Sequence, residues 1–250
     1  MRTCRFARAG QERYGVVEGN EVRALTAAPW EGGLPEGARH PFSEVTLLAP
    51  VRPTKVVCVG RNYLAHAKEL GNEVPKEPLI FLKPSTAVVG PQEAIICPPT
   101  SQDVQHEAEL AVVMGRALSR ASAAEAKQAV FGWTCLNDVT ARDIQREEKQ
   151  FTRAKGFDTF CPVGPVVDTA IDPDGLTVIC RVNGVERQRG DTRDMAFDPF
   201  ALLAFISQVM TLLPGDVVAT GTPEGVSRIQ RGDWVEVEIP GIGLLRNPVT

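Results

Sequence analysis

The chain has 250 residues, 43% hydrophobic and 23% charged, with a formal net charge of −4, as in an ordinary globular protein with room for one large domain or one domain and a small appendage. No basic run marks a nucleic-acid surface, no apolar run reaches membrane-spanning length, and the N-terminal MRTCRFARAG lacks the apolar stretch of a signal peptide. The six cysteines stand singly with no C-x-x-C pair, which argues against a zinc or redox motif and for a reduced, cytoplasmic protein.

Glycines and prolines gather at segment ends and predict many turns in a β-rich chain. Thr3–Ala7, Arg13–Val17 and Glu21–Leu25 read as short strands, with a tight turn after Val17-Glu18-Gly19-Asn20. Pro29 to Pro41 reads as a linker. Residues 1–50 therefore form a small N-terminal β-domain and linker, and 51–250 the main domain.

Lys55–Gly60 is a continuous apolar run and so a buried strand. A short helix is expected from Leu64 to Leu70, ended by Gly71-Asn72. His66 and Glu69 share a face of it. A carboxylate beside an imidazole fixes its tautomer and raises its basicity, as a general base needs, although an incidental surface pair has the same spacing. In the next strand, Pro78–Pro84, Lys83 shares a face with Leu79 and Phe81. It either snorkels out at the strand end or points into a polar site.

Val104–Gly115 (VQHEAELAVVMG) reads as one strand. Strand side chains alternate, so Glu107 and Glu109 point the same way, with His106, Ala108, Leu110, Val112 and Met114 opposite. Two carboxylates side by side on an apolar strand repel and lose hydration, and without a cation one tends to take up a proton. The pair suits a hard cation such as Mg²⁺ or Mn²⁺; two solvated glutamates at a strand end are the plainer alternative.

Ser122 and Glu125 have capping-box spacing, and Val130–Leu136 is a strand. Asp138 follows, either as the cap of a helix over Val139–Lys149 or as a third metal carboxylate. Leu176–Val182 enters a hairpin at Asn183-Gly184. Asp198-Pro199 starts a helix to Leu212, apolar nearly all round. Val217–Thr220 and Asp233–Ile239 are strands, and the loop Gly221-Thr222-Pro223-Glu224-Gly225 is not a P-loop.

Six ordered motifs then carry a resemblance: G60-RNY-x-x-H66-x-x-E69, FLKPSTA, H106-EAELAVV, L136-NDVTARD-x-Q145, A154-KGFD and T220-GTP-x-GV. Together they resemble the fumarylacetoacetate hydrolase family from about Lys55 to Asn247. The resemblance implies a mostly β fold with a few helices (α+β), a β-roll or flattened barrel with the active site at its mouth, usually as a homodimer. It implies that Glu107, Glu109 and Asp138 bind the metal, Mg²⁺ or Mn²⁺ with Ca²⁺ as a substitute. His66 and Glu69 match the catalytic dyad, on a segment that acts as a lid, and Lys155 adds positive charge there. Arg61, Tyr63, Lys83, Gln145 and Thr222 match positions that bind substrate.

The implied partner is a small oxo acid chelated through its carboxylate and keto oxygen, with the metal as Lewis acid. The favoured expectation is a hydrolase or decarboxylase cleaving C–C bonds of acylpyruvates or similar 2-oxo acids. The second is a 2-hydroxyhepta-2,4-diene-1,7-dioate isomerase of aromatic-compound catabolism. The rival from another class is a non-catalytic metal-dependent dicarboxylate binder, against which the His66–Glu69 pair argues.

Overall fold

A computed structural model of the chain describes residues 1–69, 71, 73 and 75–250. The first fifty residues supply β1 (Arg2–Arg8), β2 (Gln11–Glu18), β3 (Glu21–Leu25), β4 (Pro35–Pro41) and β5 (Thr46–Leu48). Next come β6 (Val56–Gly60), α1 (Leu64–Glu69), β7 (Leu79–Lys83), β8 (Val88–Val89), β9 (Val104–Gln105) and β10 (Ala108–Met114). The middle of the chain holds α2 (Ala123–Ala129), β11 (Val130–Asn137), β12 (Thr140–Ala141), α3 (Arg142–Glu147), α4 (Thr152–Lys155) and β13 (Cys161–Asp168). The remainder is β14 (Thr177–Val182), β15 (Val185–Asp191), α5 (Pro199–Val209), β16 (Val217–Ala219), β17 (Trp234–Ile239) and β18 (Gly243–Pro248).

The protein is mostly β with a few short helices. One long sheet runs β4-β3-β2-β1-β13-β11-β10-β16-β6-β7, with β5 beside β1 and β8 beside β13, and it is not closed into a barrel. A four-stranded sheet, β15-β14-β17-β18, packs against β10, β11 and β13. β10 explains the two-layered core. Ala108, Leu110, Val112 and Met114 belong to the large cluster shared with the second sheet and α5, whereas Ala111 and Val113 belong to a second cluster with Val56, Cys58, Cys161 and Val163. Period-two alternation thus buries both faces of this strand.

Local signals account for many boundaries. Ser122 and Glu125 form a complete capping box on α2. Asp198 accepts from the Phe200 and Ala201 amides, with Pro199 in the first turn of α5. Asn183-Gly184 turns β14 into β15, as Val182 opposite Val185 requires.

Four expectations need correction. Pro29–Pro41 is not all linker, because Pro35–Pro41 is a strand paired with β3. The Val104–Gly115 strand is interrupted at His106-Glu107, which lets Gln105 pair with Thr140 while Ala108 pairs with Asn137. The helix expected over Val139–Lys149 begins only at Arg142, after the short β12, so Asp138 does not cap it. α5 ends at Val209 and not at Leu212; it is buried or half-buried until its last two residues, Gln208 and Val209, which are exposed. The expected helix end at Leu70 and the stop at Asn72 lie outside the described residues. No helix of the described residues is long and apolar enough to cross a membrane.

Candidate active site

β10 and β11 end side by side, and this pairing assembles the acidic centre. Glu109 shares the β10 face of Ala111 and Val113, Glu107 stands just before the strand, and Asp138 follows the last residue of β11. The Asp138 amide donates to the Glu107 carbonyl at 2.8 Å, and the Glu107 amide to Asn137 Oδ1 at 3.0 Å. One carboxylate oxygen from each of Glu107, Glu109 and Asp138 lies within 4.8 Å of the others, and all three residues are buried.

Three buried cations surround them. Lys155 Nζ donates to Glu107 Oε2 at 2.8 Å and to Asp138 Oδ2 at 2.7 Å. Arg142 pairs with the other oxygen of Glu107. Lys83 is fully enclosed, so of its two alternatives the polar site holds. Its ammonium donates to the carbonyls of Val139 at 3.0 Å and Lys155 at 2.6 Å. It also lies 2.7 Å from Asp138 Oδ1, but off hydrogen-bonding angle, so among the described residues that buried oxygen accepts no hydrogen bond. The close approach is therefore an electrostatic contact.

Burial pushes the Glu109 carboxyl well above the carboxylate range, reinforced by the charges of Asp138 and Glu107; the Gly221 amide, donating at 2.7 Å, opposes this only in part. For Glu107 burial acts the same way, but Lys155 and Arg142 outweigh it and hold its carboxyl well below that range. Burial lowers Lys155, and Asp138 and Glu107 reverse that and raise it. The two adjacent glutamates are thus pushed in opposite directions, Glu109 towards its neutral form and Glu107 towards its charged form. A half-satisfied Asp138 and a Glu109 that resists ionisation are what an all-oxygen cation site presents before loading, so the residues fit a hard divalent ion.

Glu107 and Glu109 open on a cleft of about 330 Å³, lined also by Arg61, His66, Gln145, Lys155 and Thr222, with Asp138 set behind its wall. His66 is 4% exposed, and its Nδ1 lies 3.2 Å from Glu69 Oε2. Glu69 stands behind the imidazole, off the wall of the cleft, and its other oxygen accepts from the Gly225 amide at 3.0 Å. Asn62 anchors the start of this segment: its side chain donates to the Phe197 and Thr220 carbonyls and accepts from the Phe197 amide.

Two of the expected substrate-binding residues do not reach the cleft. Lys83 lies beneath Asp138, and Tyr63 is 1% exposed with a hydroxyl that has no partner among the described residues. Arg142, Arg146, Phe81 and Phe151 line the cleft without having been singled out in the sequence. Arg142 and Gln145 sit three apart in the TARD-x-Q motif, a helical spacing that could have flagged them as partners; the Arg142 guanidinium donates to Gln145 Oε1 at 2.5 Å. Phe81 and Phe151 meet edge to face at 5.5 Å, and Lys155 Nζ sits 4.9 Å above the Phe81 ring.

His106 faces away from the cleft. Its Nδ1 lies 2.9 Å from Gln188 Oε1 and its Nε2 2.8 Å from Ser227 Oγ. Burial lowers its pKa to about 4, so it stays neutral.

Comparison with known proteins gives a consistent answer. The model of the Fumarylacetoacetate (FAA) hydrolase C-terminal family matches residues 55–250, and that of the Rv2993c-like, N-terminal family matches residues 1–50. The human protein named Oxaloacetate tautomerase FAHD2A, mitochondrial, is 47% identical over 222 residues, 84% of this chain and 71% of that protein. The crystal structure of 5-carboxymethyl-2-hydroxymuconate delta-isomerase from Mycobacterium smegmatis has a TM-score of 0.94 at 43% identity, covering 100% of this chain and 99% of that one. The structure of 2-hydroxyhepta-2,4-diene-1,7-dioate isomerase from Mycobacterium marinum has a TM-score of 0.93 at 44% identity, covering 100% and 98%.

Proposed function

The chain belongs to the fumarylacetoacetate hydrolase family, and from that premise we propose that it is a divalent-metal-dependent tautomerase or isomerase of enolisable 2-oxo dicarboxylates. The observation that carries this reading is His66, backed by Glu69, opening on the same cleft as Glu107 and Glu109, with Asp138 grouped beside them. A pure binder of dicarboxylates has no use for a base held in this way.

Glu107, Glu109 and Asp138 would hold the cation, and their all-oxygen set suits Mg²⁺ or Mn²⁺. Bound there, it supplies positive charge that stabilises the enolate form of a 2-oxo acid. Glu69 favours a proton on His66 Nδ1, which leaves Nε2 as the basic nitrogen. His66 takes a proton from the carbon beside the oxo group and returns it to oxygen or to a more distant carbon. Lys155 holds Glu107 and Asp138 in place and adds charge beside the substrate carboxylate. The Gln145 carbonyl oxygen is engaged by Arg142, so its amide hydrogens are the group it offers to the cleft. Arg61 and Arg146 add positive charge to the cleft wall for a second carboxylate.

The expectation of C–C bond cleavage becomes the second reading. The names of the human and mycobacterial relatives favour proton transfer, whereas the same His66–Glu69 pair would serve water attack on an acylpyruvate. The test follows oxaloacetate in D₂O by NMR with Mg²⁺ present. Wild type should speed deuterium entry at C3, and His66→Ala should lose about 10²–10⁴-fold of that rate, the usual size of general-base catalysis, with Mg²⁺ affinity unchanged by calorimetry. Rapid cleavage of acylpyruvates without faster deuterium entry would make the second reading correct.

A further inference from the structure

We propose that the Thr222 hydroxyl meets the substrate only as a hydrogen-bond acceptor, so that the site selects the enol, hydroxyl-bearing form, and that Gln188 is the positioning residue that helps fix the rotation of this hydroxyl. The proposal rests on the oxo-acid reading above and adds which tautomer the cleft recognises.

Gln188 projects from β15, is 1% exposed and does not line the cleft. Two backbone groups fix which way its amide faces. The Ala108 N–H donates to Oε1 at 3.0 Å, and the Pro223 carbonyl accepts from Nε2 at 2.7 Å. The reversed amide would set two donors against each other on one side and two acceptors on the other. His106 Nδ1, 2.9 Å away, completes Oε1 as a donor, while its Nε2 accepts from the Ser227 hydroxyl.

With the amide fixed, the second Nε2 proton points at Thr222 Oγ1, 2.8 Å away. Thr222 has a single proton, and the Ala108 carbonyl 2.8 Å from Oγ1 can only accept it. The hydroxyl has therefore used its donor and one of its two lone pairs. What remains for the cleft, beside Glu107, Glu109 and His66, is one lone pair. A ketone or carboxylate oxygen has no proton to give it. An enol hydroxyl does, and gains a buried hydrogen bond the keto form lacks.

Two probes separate these cases. Glycolate carries a hydroxyl at the 2-position, and oxalate has no proton there at neutral pH. Calorimetry of the Mg²⁺-loaded full chain should show Thr222→Val weakening glycolate by about tenfold, the size of one ordinary hydrogen bond, with oxalate affinity unchanged or improved. Thr222→Ser should restore the wild-type ratio of the two affinities. Gln188→Met removes one of the two hydrogen bonds that fix the rotation of the Thr222 hydroxyl, leaving only the bond to the Ala108 carbonyl, and should move that ratio towards oxalate, with circular dichroism confirming a folded chain. A merely structural role for Gln188 would weaken both probes alike. Equal losses on both probes in Thr222→Val would overturn the acceptor assignment while leaving the oxo-acid pocket intact. Failure of wild type to bind either probe would overturn the oxo-acid reading and this proposal with it.

Discussion

Lys155 holds together two carboxylates that, among the described residues, share no other cation, since Glu107 and Asp138 both accept from its ammonium. Lys155→Met should leave Glu107 to Arg142 and Asp138 to Lys83 alone, a cost of about 1.5–3 kcal/mol, the scale of hydrogen bonds to a charged group. At about 2–4 °C per kcal/mol for a chain of this size, melting should fall by roughly 3–12 °C in EDTA. Mg²⁺ should recover part of that fall and stabilise the variant more than wild type. Calorimetric melts in EDTA and in Mg²⁺ test this, and equal Mg²⁺ effects on both proteins would separate Glu107 and Asp138 from any shared cation. The carboxylates themselves were legible in the sequence, because charge on an apolar strand demands a reason. Lys83 was legible only as a choice, since its surroundings come from Val139 and Lys155, far along the chain. Gln188 was not legible at all: every partner described for its side chain is His106, the first residue of β10 or part of the loop after β16, more than thirty residues away in sequence.

At the scale of elements, the parallel pair of β6 and β16 aims both walls of the cleft, because Arg61 and His66 follow one strand and Thr222 follows the other. Asp216 fastens the pair at its start. Its buried carboxylate accepts from the Thr54 amide at 3.0 Å and hydroxyl at 2.7 Å, from Lys55 Nζ at 2.5 Å and from the Leu213 amide at 2.8 Å. Burial raises its pKa, but Lys55 and these hydrogen bonds outweigh burial and hold it below the ordinary 3.8. A carboxyl lowered by folding adds stability above its free value and loses it as pH falls through the folded value. Asp216→Asn should thus cost about 1.5–3 kcal/mol at neutral pH, the scale of hydrogen bonds to a charged group. It should also lose less stability than wild type when pH drops below about 4. Urea unfolding at pH 7 and pH 3.5 compares the two, and parallel losses would remove Asp216 from the acid response. β6 was legible as a continuous apolar run, but β13 was not. Pro162, Gly164 and Pro165 argue against a central strand. Pro165 falls where the ladder to β11 shifts register between Trp133 and Cys135, and Pro162 lies near the strand start, beyond the last β11 pair and beside the short β8.

Across the whole molecule, the first fifty residues continue the main sheet. β1 pairs with β13 at Arg2–Asp168 and Thr3–Val167, and the Thr169 amide donates to the Met1 carbonyl at 2.9 Å. Cys4, Phe6, Val22 and Ala24 belong to the same buried cluster as Leu110 and Val166. Trp30 stacks edge to face on Phe131 at 5.5 Å and lies against Gly215, just before β16. Composition gave no sign of this, because strand pairing across more than 160 residues leaves no local pattern. A fragment of residues 51–250 would expose one edge of β13 as unpaired backbone, together with the apolar surface beneath Phe6 and Trp30. Unpaired strand edges recruit other chains, so the fragment should aggregate and melt well below the full chain. Light scattering and calorimetry on both forms read this directly. A monodisperse fragment with the melting temperature of the full chain would mean that the paired edge contributes nothing to stability. Intermediate behaviour has its own signature: a soluble fragment whose melting falls but whose Mg²⁺ affinity is unchanged would locate the contribution in the β1–β13 seam, since Glu107, Glu109 and Asp138 all lie on β10 and β11 or beside them.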